Sequence, residues 1–318
     1  HPFYKEEVQA LHRQYGKFIV VNTNFNHVNA FGPDMNLFQP VKNPGDQAKF
    51  GRAAKGMSRD YAQGLSDHKQ AVFNSFQHMI PKLNQAFPDL NIVIRPHPTE
   101  RHEVYREIAD RSARIHVTNA GNVVPWILAT RMVLHNGCTT GVESFVMGVP
   151  AISYREAIDD DYDNGFYRLP NVLSHQCFNF DQLCDTIHQV LSGNLSVADG
   201  DERQALVRRH LSSQEGPLAC EKIVAVLASM TSDQGDHHQP SLGDRLQRRL
   251  IAGGYHFYKR LKPMLPGSHN RPEFQKHRYP GITLEALHQK IKRIQKVRND
   301  TTQLKVEQLS EVLFRISV

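Results

Sequence analysis

The sequence predicts an α/β fold, a parallel sheet with flanking helices, followed by a basic helical tail. Three observations carry this. Short continuous apolar runs recur at residues 17–21 (KFIVV), 90–95 (LNIVIR) and 132–134, the pattern of strands covered on both faces. Segments with helical spacing separate them, as in a chain of βα units. Residues 135–154, HNGCTTGVESFVMGVPAISY, read as a strand end, a small-residue loop, a short helix, a tight turn and a second buried strand. A unit of that kind places a ligand at the carboxyl end of a parallel sheet.

Taken in order, residues 5–15 have helical spacing through Val8, Leu11 and Tyr15 and stop at Gly16. After the strand at 17–21 comes a polar loop with Asn22, Thr23, Asn24 and Asn26. It either binds a ligand or satisfies its own backbone. Residues 31–64 are irregular and rich in Pro and Gly, long enough to be a functional loop. Residues 68–87 form an amphipathic helix (Val72, Phe76, Met79, Ile80, Leu83) stopped by Pro88. The strand at 90–95 runs into Pro96-His97-Pro98, where two prolines hold the backbone extended. A charged helix is expected over 100–111, a strand over 114–118, and a helix over 122–128 whose Trp126 reads as core. Beyond Tyr154, the run Asp159, Asp160, Asp161 and Asp163 lacks a calcium-loop pattern and reads as a solvated acidic loop. Helices are expected over 178–191, 206–211 and 218–230.

Residues 231–241, TSDQGDHHQPS, are the linker candidate, and His237-His238 belongs to it. Domain boundaries follow: 1–230 as one domain, 231–241 as linker, 242–318 as a basic helical extension. Residues 235–318 hold 16 Lys/Arg and 7 Asp/Glu, a net of +9, against +6 for the whole chain. The excess fits either an anionic surface or a solvated basic helix. Within 242–265, aromatic and aliphatic residues lie among arginines and lysines, with a break expected at Gly253-Gly254. That composition suits an anionic membrane surface, or docking on the globular part. No apolar run reaches about 18 residues, so no spanning helix is expected. Four scattered cysteines suggest free thiols and a cytoplasmic setting, peripheral on the inner face of a membrane if the tail binds it. The chain opens without a methionine, so residue 1 is not expected to be the natural start.

The chemistry-bearing residues cluster at two strand ends. His97, held between prolines next to Arg95, can donate to a phosphate. Asn136, Gly137, Cys138, Thr139, Thr140 and Gly141 can present backbone N–H groups at a helix start, which favours anions. Glu143 sits in the first turn of that helix, and Gly148 can end it in a left-handed conformation.

With RPHP, KFIVVNTNF and the later QKHRYPGIT, the 135–154 stretch resembles bacterial surface-carbohydrate (polysaccharide) biosynthesis proteins. These are glycosyltransferase-like with GT-B architecture. The likeness is close over about 1–230 and looser in the tail. More distantly the chain is similar to CDP-glycerol glycerophosphotransferases and UDP-N-acetylglucosamine 2-epimerases. The resemblance implies a C-terminal Rossmann-like domain binding a nucleotide-sugar donor, with a glycan or lipid-linked acceptor. His97 would contact the donor phosphate, residues 136–141 would cradle it, and Glu143 would accept from the ribose hydroxyls. It also implies an acceptor domain ahead of residue 1. No DxD motif stands out, so neither an obligatory metal nor a cofactor is expected, and no nucleic-acid partner. Three functions stay open: the donor-binding half of a glycosyltransferase, a nucleotide-sugar epimerase, or a non-catalytic membrane-associated scaffold.

Overall fold

A computed structural model describes residues 2–41, 43–163, 168–232, 241–265, 268, 270–279, 281–310 and 313–318. The linker candidate at 231–241 lies mostly outside the described residues, His237-His238 included. The chain divides into two units, His1–Ala198 with Pro272–Val318, and Asp199–Arg271. The first unit therefore includes the end of the chain, where the sequence placed a separate extension from 242 onward. The reason is packing: Phe274 is buried and its ring lies 5.7 Å from Phe31, while His277 stacks on Phe31 at 4.3 Å.

The first unit is built on a six-stranded sheet in the order β3-β2-β1-β4-β5-β6. Its strands are β1 (Phe18–Asn22), β2 (Asn91–Arg95), β3 (Ile115–Val117), β4 (Val133–His135), β5 (Ala151–Tyr154) and β6 (His175–Cys177). Every pairing is parallel. This is a doubly wound, Rossmann-like α/β architecture, with the strand order reversing between β1 and β4. Strand alternation sorts the side chains. Ile19, Val21, Ile92, Ile94, Leu134 and Ile152 face one core, under α2 (Arg59–Ala86), α3 (Glu103–Ala109) and α8 (Phe180–Leu191). Phe18, Val20 and Val93 face the other, with Leu11 of α1 (Lys5–Tyr15) and Trp126 of α4 (Val123–Ala129).

Helix α2 is the main cover of the first face. It starts earlier than its apolar spacing suggests, because Ser58 caps it by accepting from the Tyr61 N–H at 3.2 Å. Phe76, Ile80 and Leu83 are wholly buried, each contributing about 1.5–3 kcal/mol relative to exposure. Strand β6 has no apolar run and was not foreseen.

Helices α5 (Thr140–Val146), α6 (Asp160–Asp163) and α7 (Arg168–Val172) complete the sheet region. The acidic run is only partly solvated. Asp163 is buried, accepts from Arg155 at 2.9 Å, and pairs with His68 at 3.0 Å and Lys69 at 3.9 Å. Burial, partly offset by Asp163, pulls the Lys69 amine down to about 8.

In the same unit α12 (Pro272–Arg278), α13 (Leu284–Arg298) and the hairpin β7 (Lys305–Ser310)–β8 (Leu313–Ser317) follow. Arg293 of α13 donates to Glu7 of α1 at 2.7 Å. The second unit holds α9 (Asp201–His210), α10 (Ala219–Ser232) and α11 (Leu242–Leu261). Helix α11 runs unbroken through Gly253 and Gly254, where a break was expected. Among the described residues no helix is long and apolar enough to cross a membrane.

Candidate functional site

In a doubly wound sheet the ligand crevice lies outside the carboxyl ends of the strands, where their order reverses. Here that point falls between β1 and β4. The register sets Asn22 level with both Arg95 of β2 and His135 of β4. The His97 and 136–143 segments therefore leave the same sheet edge on either side of β1, about 10 Å apart at strand spacing.

The loop after β1 joins them. On the β2 side, Thr23 Oγ1 donates to Glu100 Oε1 at 3.0 Å. The same carboxylate accepts from the His97 backbone N–H at 3.1 Å and from the Tyr105 hydroxyl at 2.6 Å. Glu100 is wholly buried, and burial raises its pKa against the opposing pull of those donors. The charged helix expected over 100–111 starts later: α3 begins at Glu103, after a turn in which the Glu100 N–H donates to the His97 carbonyl. On the β4 side, Asn136 Oδ1 accepts from the Asn24 N–H at 2.9 Å, and its Nδ2 donates to the Asn24 carbonyl at 3.2 Å.

His97 is half-buried. The Thr99 N–H donates to its Nδ1 at 3.3 Å, and the Thr99 hydroxyl lies 2.7 Å from the same atom. An Nδ1 that accepts a backbone proton leaves the neutral ring with its own proton on Nε2. The two prolines and this contact fix the ring.

Arg95 is turned away from that role. It follows Val93 onto the opposite face, where its guanidinium donates to the carbonyls of Ala120 at 3.0 Å and Gly121 at 3.3 Å. It also lies 4.5 Å from the Trp126 ring centroid. Burial lowers its pKa to about 10. Its contacts shape the 120–122 turn, so the expected phosphate contact has no counterpart in this arrangement.

The 136–141 loop is propped from beneath by His135, which the sequence reading passed over as a strand end. The Gly137 N–H donates to His135 Nδ1 at 3.0 Å. The opposite nitrogen, Nε2, lies 2.8 Å from Ser174 Oγ, whose hydroxyl donates to the Pro170 carbonyl at 2.8 Å. Burial and nearby Arg155 push the His135 pKa down to about 3, so the ring is neutral. Gly141 is required here because a Cβ would sit 2.4 Å from His135 Nε2. Its own N–H bonds the Cys138 carbonyl at 3.0 Å.

Of the expected cradle, then, the N–H groups of Gly137 and Gly141 are already engaged and the Asn136 side chain serves Asn24. Burial raises the pKa of the Cys138 thiol above its ordinary range. Gly148, at φ 71°, ends the turn after α5 as its sequence suggested. Glu143 is half-buried in the first turn of α5, its pKa raised by burial, and among the described residues no cation pairs with it.

Three polar atoms at this edge, Asn22 Nδ2, Asn24 Oδ1 and Thr140 Oγ1, are buried without a hydrogen-bond partner among the described residues. Buried polar atoms are rarely left so. By contrast, an open depression of about 460 Å³ lined by His12, Gly16, Lys17 and Arg131 lies at the opposite, amino-terminal edge. Among the described residues no group of three His, Cys, Asp or Glu side chains is arranged to hold a metal.

No family model matches the chain, and no curated protein matches it. Among solved structures it is similar to the UDP-GlcNAc 2-epimerase of Neisseria meningitidis bound to UDP-GlcNAc. That match has 10% identity and a TM-score of 0.34, covering 71% of this chain and 48% of the other. It is similar too to a protein of Listeria monocytogenes described as a UDP-N-acetylglucosamine 2-epimerase, with 12% identity, a TM-score of 0.35, and coverage of 73% and 50%. The chain spans about half the length of these proteins. A likeness of this size adds nothing to what the strand order shows about the fold.

Proposed function

We propose that the first unit binds the phosphate of an activated sugar nucleotide at the β1/β4 edge, as the donor-binding half of a GT-B-type glycosyltransferase for bacterial surface polysaccharide. One observation carries this reading. Thr23 and Asn24, adjacent on a single loop, tie the His97 and 136–143 segments to the one place in the sheet where such folds hold ligands. The partnerless atoms of Asn22 and Asn24 at that edge support it, since a bound polar ligand offers them partners.

In this reading His97 donates from Nε2 to a phosphate oxygen. The backbone of residues 138–140 lines the same group, and Glu143 accepts from the ribose hydroxyls, two adjacent donors suited to a carboxylate. Arg95, Asn136, Gly137 and Gly141 shape these loops. The chemistry would be stabilisation of negative charge on a departing nucleoside phosphate by fixed donors. The glycan or lipid-linked acceptor and the general base have no assigned residues.

Calorimetric titration with CMP, UDP and GDP tests the reading. One of the three binds the wild type, at least tenfold more weakly to Glu143→Ala, and with unchanged affinity in EDTA. Equal affinity in both proteins removes Glu143 from the site, and absence of binding to all three overturns the proposal. Turnover of UDP-N-acetylglucosamine without an acceptor would move the assignment to an epimerase.

A further inference from the structure

Helix α11 of the second unit is twenty residues long, about 30 Å at the rise of an α-helix. Ser241 starts it firmly through a capping box with Asp244. None of its residues is buried, and Leu242, Leu250 and Phe257 are 78%, 76% and 65% exposed. At helical spacing Leu242, Leu246, Leu250, Phe257 and Leu261 share an arc of about 100°. Arg248 and Lys259 occupy the opposite side with Ile251, and Arg249 and Arg260 border the arc. Residues 241–262 hold six basic side chains and one acidic, a net of +5. Near the carboxyl end Lys259 lies over the Tyr255 ring at 5.1 Å and Lys262 over Tyr258 at 5.2 Å. Tyr255 thus lies among the charges on the polar side, and Tyr258 between that side and the stripe.

We propose that α11 lies in the plane of an anionic lipid bilayer, its leucine–phenylalanine stripe in the acyl boundary and its basic side chains among the headgroups. An apolar arc and a polar side with cations toward both ends of the helix are the requirements of that position. Charge complementarity selects the occupant. A second copy of the helix would bring +5 against +5, whereas a headgroup layer of negative sign draws every one of those side chains inward. Gly253 falls within the stripe and leaves a gap between Leu250 and Phe257, through which the helix runs unbroken. This inference does not depend on the nucleotide site.

Sedimentation of the full chain with phosphatidylcholine vesicles, with and without phosphatidylglycerol, is the test. The wild type partitions onto the anionic vesicles at least tenfold more strongly than onto neutral ones. Near-molar salt, which shortens the screening length to about 3 Å, removes most of that preference. Arg245→Gln/Arg248→Gln/Arg249→Gln lowers binding on the order of a hundredfold, at about fivefold per basic residue. Leu246→Asp/Leu250→Asp abolishes it. The salt arm needs no variant and so stands even if a substitution disturbs folding. Equal binding to both vesicle types overturns the proposal, as does binding to neither. So does a concentration-dependent dimer that Leu246→Asp/Leu250→Asp dissolves, since the stripe would then pair copies of the chain.

Discussion

Glu100 does the work at the residue scale that the sequence assigned to its neighbours. One carboxylate satisfies Thr23, Tyr105 and the His97 backbone, and is wholly buried in doing so. Leaving several buried donors unpaired costs about 1–3 kcal/mol each. Glu100→Ala should therefore lower stability by about 3 kcal/mol or more in urea unfolding, and weaken nucleotide binding through a displaced His97. A change below about 0.5 kcal/mol would show that the carboxylate is not the tie. The histidines make a second prediction. His135 and His102 have pKa values depressed to about 3 and about 4, chiefly by burial. Unfolded, each titrates near 6.5. The unfolded state then binds protons first as pH falls, so the stability present above 6.5 is lost toward those lower values, at about 1.4 kcal/mol per unit and group. The raised carboxyls of Glu100 and Glu143 act in the opposite sense once they take up protons. Ring nitrogen shifts at pH 5 should show both imidazoles neutral, and a ring titrating at 6 or above contradicts the assignment.

At the scale of elements, two glycines separate structural need from tolerance. Gly141→Ala forces a Cβ to 2.4 Å from a buried ring. Overpacking of that kind costs about 1–3 kcal/mol and should lower the melting temperature by several degrees. Gly254→Ala meets open space inside a helix and should stabilise α11 by about 0.5–1 kcal/mol. Thermal unfolding of both variants checks the pair, and a reversed order would mean that the α5 loop is not held by His135. Elements were legible where burial is continuous. The runs at 17–21, 90–95 and 132–134 became β1, β2 and β4 because a strand covered on both faces needs no polar alternation. His175–Cys177 gave no such signal: β6 is an edge strand, paired among the described residues with β5 alone. The start of α2 was hidden because its first turns carry polar residues whose helicity is set by the Ser58 cap.

For the molecule as a whole, a parallel sheet with both chemistry-bearing segments at carboxyl ends of its strands could be read from the sequence, but the strand order that sets them on either side of β1 could not. Nor could the ties that make them one site. Thr23–Glu100 and Asn24–Asn136 join residues 77 and 112 positions apart, and nothing local marks such partners. Arg95 was misplaced for a related reason: strand alternation sends it to the Trp126 face, although it adjoins His97 in the chain. The return of residues 272–318 to the first unit was equally hidden, since it rests on Phe274 and His277 finding Phe31. Amide hydrogen exchange, with and without the tightest-binding nucleotide, tests the location directly. Exchange should slow in three separate segments, 22–31, 95–101 and 135–143, and remain unchanged around His12 and Lys17. Calorimetric binding with protection only outside those three segments would contradict a site at the β1/β4 edge.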